Sequence, residues 1–210
     1  TNIVNNYISY KIILMSEKIL IFRPFGPSIV KAKMPTEVMD SLNKYIDTTI
    51  KDEEKSKELD YGHKLAGNVN QEFRISQEHA KERGWLNFLG NIAQGYVKQS
   101  IGQKITKFNI IETWVVRQFS NEYNPTHWHS GHLSGVGYLK VPSSYGETKQ
   151  KSKTVNLNGN LQLIHGSQQF LSKSLWNIKP ELGDFYMFPN YLMHSVFPFT
   201  GTDQERRSIS

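Results

Sequence analysis

Apolar residues recur every four positions after Pro35-Thr36. Val38, Leu42, Ile46 and Ile50 fall on one stripe, which predicts an amphipathic helix with a buried face. A second helical stripe, Trp85, Leu89, Ile92 and Tyr96, follows a capping serine at Ser76 and runs to a stop at Gly102. Between them, Lys51 to Asp60 is charged or polar at nearly every position, the pattern of a solvated helix end or loop. Ahead of both helices, Lys18 to Phe22 and Ser28 to Lys33 flank Arg23-Pro24-Phe25-Gly26-Pro27 and predict an opening hairpin.

Beyond Gly102 the period shortens from helical to extended. Phe108 to Phe119 is rich in Ile, Val, Thr, Trp and Phe, and Leu133 to Val141 follows. Asn158-Gly159 is a hairpin turn leading into Leu161 to Ile164; Phe185 to Phe188, Leu192 to Phe197 and Arg206 to Ser210 come after it. A set of about seven or eight short strands with turn signals between them predicts a sandwich or jelly roll. The polar, lysine-rich stretch from Ser143 to Thr154 reads as a loop at its mouth. The fold class is therefore α+β and mainly β, with helices ahead of the sheets to cover one face.

Composition narrows this further. With 38% hydrophobic and 12% aromatic residues in 210, the chain can bury one core, and a single domain is expected. Met15-Ser16-Glu17-Lys18 resembles a natural start, so residues 1–14 are expected to be a leader and 15–210 the domain. The absence of cysteine excludes disulfides, thiolate metal sites and a cysteine nucleophile, which leaves His, Asp and Glu as metal ligands. The formal charge of +6 comes from lysines scattered along the chain, so it is read as solubility and nucleic acid is not expected as a partner. No apolar run is long enough to cross a membrane and the start lacks a signal-peptide pattern, so a cytoplasmic location is expected.

The chemistry concentrates in Pro125-Thr126-His127-Trp128-His129-Ser130-Gly131-His132. In an extended segment His127 and His129 point the same way and can share a metal ion, although such a pair also describes two solvated histidines. His132 lies three residues from His129 and does not share its strand face; His63 and His79 sit in polar or helical stretches and are read as surface residues. Asp184, after Gly183, is read as a turn residue. Further on, Phe188 to Val196 places His194 on an apolar strand. Arg206 and Ser208 share one side of the next, offering a guanidinium and a hydroxyl to one carboxylate.

Taken together, His127-x-His129, Leu133-Ser134-Gly135-Val136-Gly137-Tyr138, Phe188-Pro189 with His194, and Arg206-x-Ser208-Ile209-Ser210 resemble the phage and bacterial branch of the 2-oxoglutarate/Fe(II)-dependent oxygenases related to prolyl 4-hydroxylases. The resemblance covers the second half of the chain. It implies a double-stranded β-helix (jelly-roll) core over about residues 105–210 with supporting N-terminal helices, Fe(II), and 2-oxoglutarate and O₂ as cosubstrates, ascorbate being a supportive reductant. It implies hydroxylation of a substrate, with a prolyl residue in a protein or peptide as the first candidate, and release of succinate and CO₂. His127 and His194 take the positions of the two histidine ligands. His129 stands where most of the superfamily has Asp or Glu, giving a three-histidine face in place of two histidines and a carboxylate, or else an inert residue beside a water ligand. Arg206 and Ser208 would bind the distal carboxylate of 2-oxoglutarate and Tyr138 would hydrogen-bond it, while Arg207 points the other way. Trp114, Tyr123, Asn124, Trp128 and His165 are the substrate-contact candidates, each also able to serve as packing. The alternative of a different class is a non-catalytic, cupin-like metal-binding or structural phage protein, which has no need of the Arg206 and Ser208 clamp.

Overall fold

The computed structural model describes residues 26–210. In chain order these form β1 (Val30–Lys33), α1 (Thr36–Lys51), α2 (Glu53–Glu58), β2 (Gln71–Arg74), α3 (Gln77–Glu82), α4 (Trp85–Ile101), β3 (Trp114–Gln118), β4 (Asn124–His127), β5 (Leu133–Lys140), β6 (Leu161–Ile164), β7 (Leu175–Ile178), β8 (Asp184–Pro189), β9 (Met193–Val196) and β10 (Arg206–Ile209). Six strands, in the order β1-β8-β5-β10-β3-β2, build one sheet and four, in the order β4-β9-β6-β7, build the other. All their pairings are antiparallel. This is the mainly β jelly-roll core with preceding helices that the sequence predicts.

Alternation along each strand of the larger sheet divides two cores. Leu139, Phe185, Met187 and Ile209 face the helices and pack with Leu42 and Ile46 of α1 and Trp85, Phe88 and Ala93 of α4. Their neighbours Tyr138, Tyr186 and Phe188 face the smaller sheet and pack with Leu161, Leu163 and Leu192. The same alternation sends the adjacent arginines of β10 to opposite layers. Arg207 turns to the helix side, where Nη1 donates to Asn43 Oδ1 at 2.9 Å, Nη2 to Asp47 Oδ1 at 2.7 Å and Nε to Glu205 Oε1 at 2.7 Å. Arg206 is left on the layer between the sheets.

Local chemistry explains where the elements differ from the sequence expectations. The stretch from Ser76 to Gly102 is two helices: Ser76 Oγ accepts from His79 N to cap α3, and Gly84, at φ +74°, breaks the chain before α4 starts at Trp85. Phe108 to Phe119 is extended as β-ladder only from Trp114. β2, β4 and β7 are strands that period-2 patterning did not single out. Of the expected opening hairpin, Lys18 to Phe22 lies outside the described residues, and Ser28 to Lys33 contributes β1, which pairs with β8. Residues 1–14 also lie outside them. Among the described residues no helix is long and apolar enough to cross a membrane.

Asp184 is an anchor of that edge pairing as well as a turn residue. Its carboxylate is fully buried and held by Lys31 Nζ at 2.7 Å and Lys33 Nζ at 2.5 Å. Burial alone would raise its pKa, but the two lysines outweigh it and the net shift is downward. A carboxylate depressed in this way stabilises the fold above its unfolded value of about 4 and loses that contribution as pH falls through the folded value. Asp184→Asn should cost ~1–3 kcal/mol at neutral pH and flatten the acid limb of stability, as read by denaturant titrations between pH 3 and 7.

Candidate functional site

Three histidines from two neighbouring segments meet between the sheets. His127, the last residue of β4, lies directly across from His194 in the β4–β9 ladder. His129 follows just after β4, and Asn190 fixes its segment: Asn190 Nδ2 donates to His129 O at 3.0 Å and His129 N to Asn190 O at 3.2 Å. Ring centroids lie 4.3 Å apart for His127 and His194, 4.9 Å for His127 and His129, and 5.0 Å for His129 and His194. One ligand nitrogen from each falls within 4.8 Å of the others, the geometry of a cup for a metal ion.

Hydrogen bonding sets the ring tautomers. His127 Nδ1–H donates to Pro125 O at 2.7 Å and His194 Nδ1–H to Leu192 O at 2.8 Å, so each Nε2 carries a lone pair. His194 Nε2 lies 3.2 Å from His129 Nε2, so the two ring nitrogens face each other across the cup. Burial, reinforced by the neighbouring His127, lowers the His129 pKa to about 4 and that of His194 to about 3. Both rings are neutral at pH 7, as ligation requires. Trp114 tilts against His129 at 5.2 Å and Phe188 against His194 at 5.2 Å, walling the cup with apolar surface.

A cavity runs from the cup to Arg206 and Ser208 of β10 and Asn124 of β4. Arg206 is 2% exposed. Its Nη1 donates to Gln118 Oε1 at 2.6 Å, and Gln118 in turn donates to Glu122 O at 2.5 Å. Nε and Nη2, the adjacent pair on one edge of the guanidinium, have no partner among the described residues. A buried cation with two unmet donors is costly, and a carboxylate accepting both is the group that relieves it. Tyr138 lies beneath, its ring 5.1 Å from the guanidinium and its hydroxyl also unpartnered among the described residues, though it is not part of the cavity wall. Its pKa is raised by burial, so the hydroxyl is a donor at neutral pH. A three-nitrogen cup and a carboxylate-seeking fork in one cavity fit an Fe(II) ion and a dicarboxylate ligand.

Beside this cavity, and sharing Trp114, His129, Ser134 and Gly135 with it, is a cleft of about 780 Å³. Trp128 lines it and is 65% exposed, so it stands at the entrance. Of the substrate-contact candidates, Trp114, Asn124 and Trp128 thus reach one or both spaces. Tyr123, bridged to Asn68, and His165, exposed after β6, line neither. Sequence reasoning missed Gln118, Asn190 and Glu72, a buried carboxyl on the cavity wall. A glutamate on the non-apolar side of Phe73 and Ile75 was the signal for the last.

The comparisons with known proteins agree with this geometry. Residues 112–210 match the family model described as putative 2OG-Fe(II) oxygenase. Among solved structures, a prolyl 4-hydroxylase from Pseudomonas putida matches with a TM-score of 0.54 at 12% identity over 86% of this chain and 89% of its own. The viral collagen prolyl hydroxylase of Paramecium Bursaria Chlorella virus-1, in its 2OG complex, gives 0.53 at 15% identity over 86% and 92%. AviO1 from Streptomyces viridochromogenes gives 0.55 at 14% identity over 87% of each chain. At such identities the likeness is one of fold. No curated protein sequence matches the chain.

Proposed function

We propose that the protein is an Fe(II)- and 2-oxoglutarate-dependent dioxygenase that hydroxylates its substrate and releases succinate and CO₂. The observation that carries this reading is Arg206, buried with two N–H groups that have no partner among the described residues, on the cavity that also holds the three histidines. A protein that only stored a metal would have no use for that fork. His127, His129 and His194 would hold the ion, Arg206 the distal carboxylate of the cosubstrate, with Ser208 beside it on the same wall. Tyr138, outside the cavity wall, would steady the Arg206 guanidinium from below rather than touch the cosubstrate.

The bound ion and cosubstrate supply the oxidising chemistry, with O₂ as co-reactant and ascorbate as a supporting reductant. The protein's residues orient the dicarboxylate through Arg206, keep two imidazoles neutral by burial, and exclude water with Trp114 and Phe188. Two of the solved neighbours named above are prolyl hydroxylases, which makes a prolyl residue in a protein or peptide the first substrate to try.

The deciding experiment is succinate release from 2-oxoglutarate with Fe(II) and ascorbate, run beside calorimetric binding of 2-oxoglutarate. Turnover or binding supports the reading, and the absence of both overturns it. His129 adds a separate expectation. A cup of three neutral imidazoles carries one negative charge fewer than one with a carboxylate, so Ni(II), Cu(II) and Zn(II) should displace Fe(II) in their ordinary affinity order. His129→Asp should narrow that preference, and competition dialysis with metal analysis reads both; His129→Ala with undiminished Fe(II) affinity would remove His129 from the ligand set.

A further inference from the structure

The wall of the cavity away from Arg206 carries two acceptor oxygens with nothing to accept from. Glu72 is 2% exposed, and its Oε1, like Asn124 Oδ1, has no partner among the described residues. Both oxygens converge on Gly67: a methyl group placed there would lie 2.4 Å from Asn124 Oδ1 and 2.8 Å from Glu72 Oε1. Only a residue without a side chain lets the two oxygens pack this closely against the chain at position 67. On its other side Glu72 faces Asp60, whose carboxylate adds to the local negative potential.

Position separates this pair from the cosubstrate end. Glu72 pairs with Val116, and Val116 with Ser208, across consecutive strands, so Glu72 sits two strands, roughly 10 Å, from Ser208 on one wall. Arg206 and Glu72 therefore stand apart on the lining of one small cavity, with the histidine cup beside both. Burial, reinforced by Asp60, pushes the Glu72 pKa up to about 7, so the group is partly protonated at neutral pH, and a positively charged nitrogen is the partner that would hold it as a carboxylate.

We propose that Glu72 and Asn124 form the substrate-reading end of the cavity, selecting a substrate that presents a cationic nitrogen, an alkylammonium or guanidinium group, to the metal cup. This rests on the dioxygenase reading for its chemistry, since the cup would oxidise a carbon near the nitrogen held by Glu72. It points to basic side chains or small amines as the substrate class.

The test is a saturation-transfer NMR titration of the full chain with n-butylamine and n-butylguanidine against their neutral counterparts n-butanol and n-butylurea, with and without Zn(II) and 2-oxoglutarate. The cationic probes should bind at least ~10-fold more tightly than the neutral ones, from one charge-assisted contact in a buried site. Glu72→Gln should erase the difference while leaving 2-oxoglutarate binding intact. Gly67→Ala, whose methyl group would push both acceptor oxygens out of place without removing either side chain, should erase it too and guards against a Glu72 variant that does not fold. Equal binding of charged and neutral probes, or a preference that survives in both variants, overturns the inference and reduces Glu72 and Asn124 to a structural pair. Loss of 2-oxoglutarate binding in the wild type counts against the dioxygenase reading alone, because the charge preference is scored without it as well.

Discussion

His194→Ala should bring succinate release down to background, a loss of at least ~100-fold, together with a fall in Fe(II) affinity of similar size. His194 is the most deeply buried of the three histidines, its Nε2 lies against that of His129, and its own Nδ1–H is committed to Leu192 O. On the proposed reading alanine would remove a ligand and free the His129 ring at once, so two sides of the cup would be lost together. His165→Ala, at an exposed position outside both cavities, should leave turnover and metal affinity unchanged and serves as the control. Metal content by mass spectrometry and succinate by chromatography read the two effects; an active His194→Ala would show that the cup is not the metal centre.

Arg206→Met should separate binding from stability. Two charge-assisted hydrogen bonds to a carboxylate are worth about 1.5–3 kcal/mol each, so even one lost should weaken 2-oxoglutarate binding by ~10- to 100-fold. Without ligand, however, the guanidinium is a buried cation held among the described residues by the hydrogen bond to Gln118 and the Tyr138 ring, and methionine replaces it with apolar volume of similar length. The unliganded variant should therefore melt no lower than the wild type, while the rise in Tm that 2-oxoglutarate gives the wild type disappears. A variant that melts much lower and still gains from 2-oxoglutarate would mean that Arg206 is structural.

These outcomes depend on features that differed in how far they could be read from the chain. Periodicity marked α1 and α4 because Leu42, Ile46, Trp85 and Leu89 each bury a helical stripe, and Asn158-Gly159 marked the approach to β6. β2, β4 and β7 escaped because Gln-Glu-Phe-Arg, Asn-Pro-Thr-His and Leu-Trp-Asn-Ile are four-residue strands whose pairing, not their composition, makes them strands. The division at Gly84 was hidden because the helical stripe starts only after it.

For the site, His127, His129, His194, Arg206 and Ser208 could be named because each belongs to a short local pattern, and the fold brings all five to one cavity. Gln118 and Glu72 could not. What brings Gln118 against Arg206 and Glu72 to the wall is registry with Arg206 and Val116 on neighbouring strands, a relation between residues far apart in sequence.

The position of β4 has a consequence for how the protein holds together. It is one of the two edge strands of the smaller sheet, its register with β9 shifts between Asn124 and His127, and Pro125 has no N–H to give to the ladder. Few bonds keep it in place. An ion gripped by His127 on β4 and His194 on β9 would be a clasp across that weak seam, and peeling of the strand and escape of the ion would become one event.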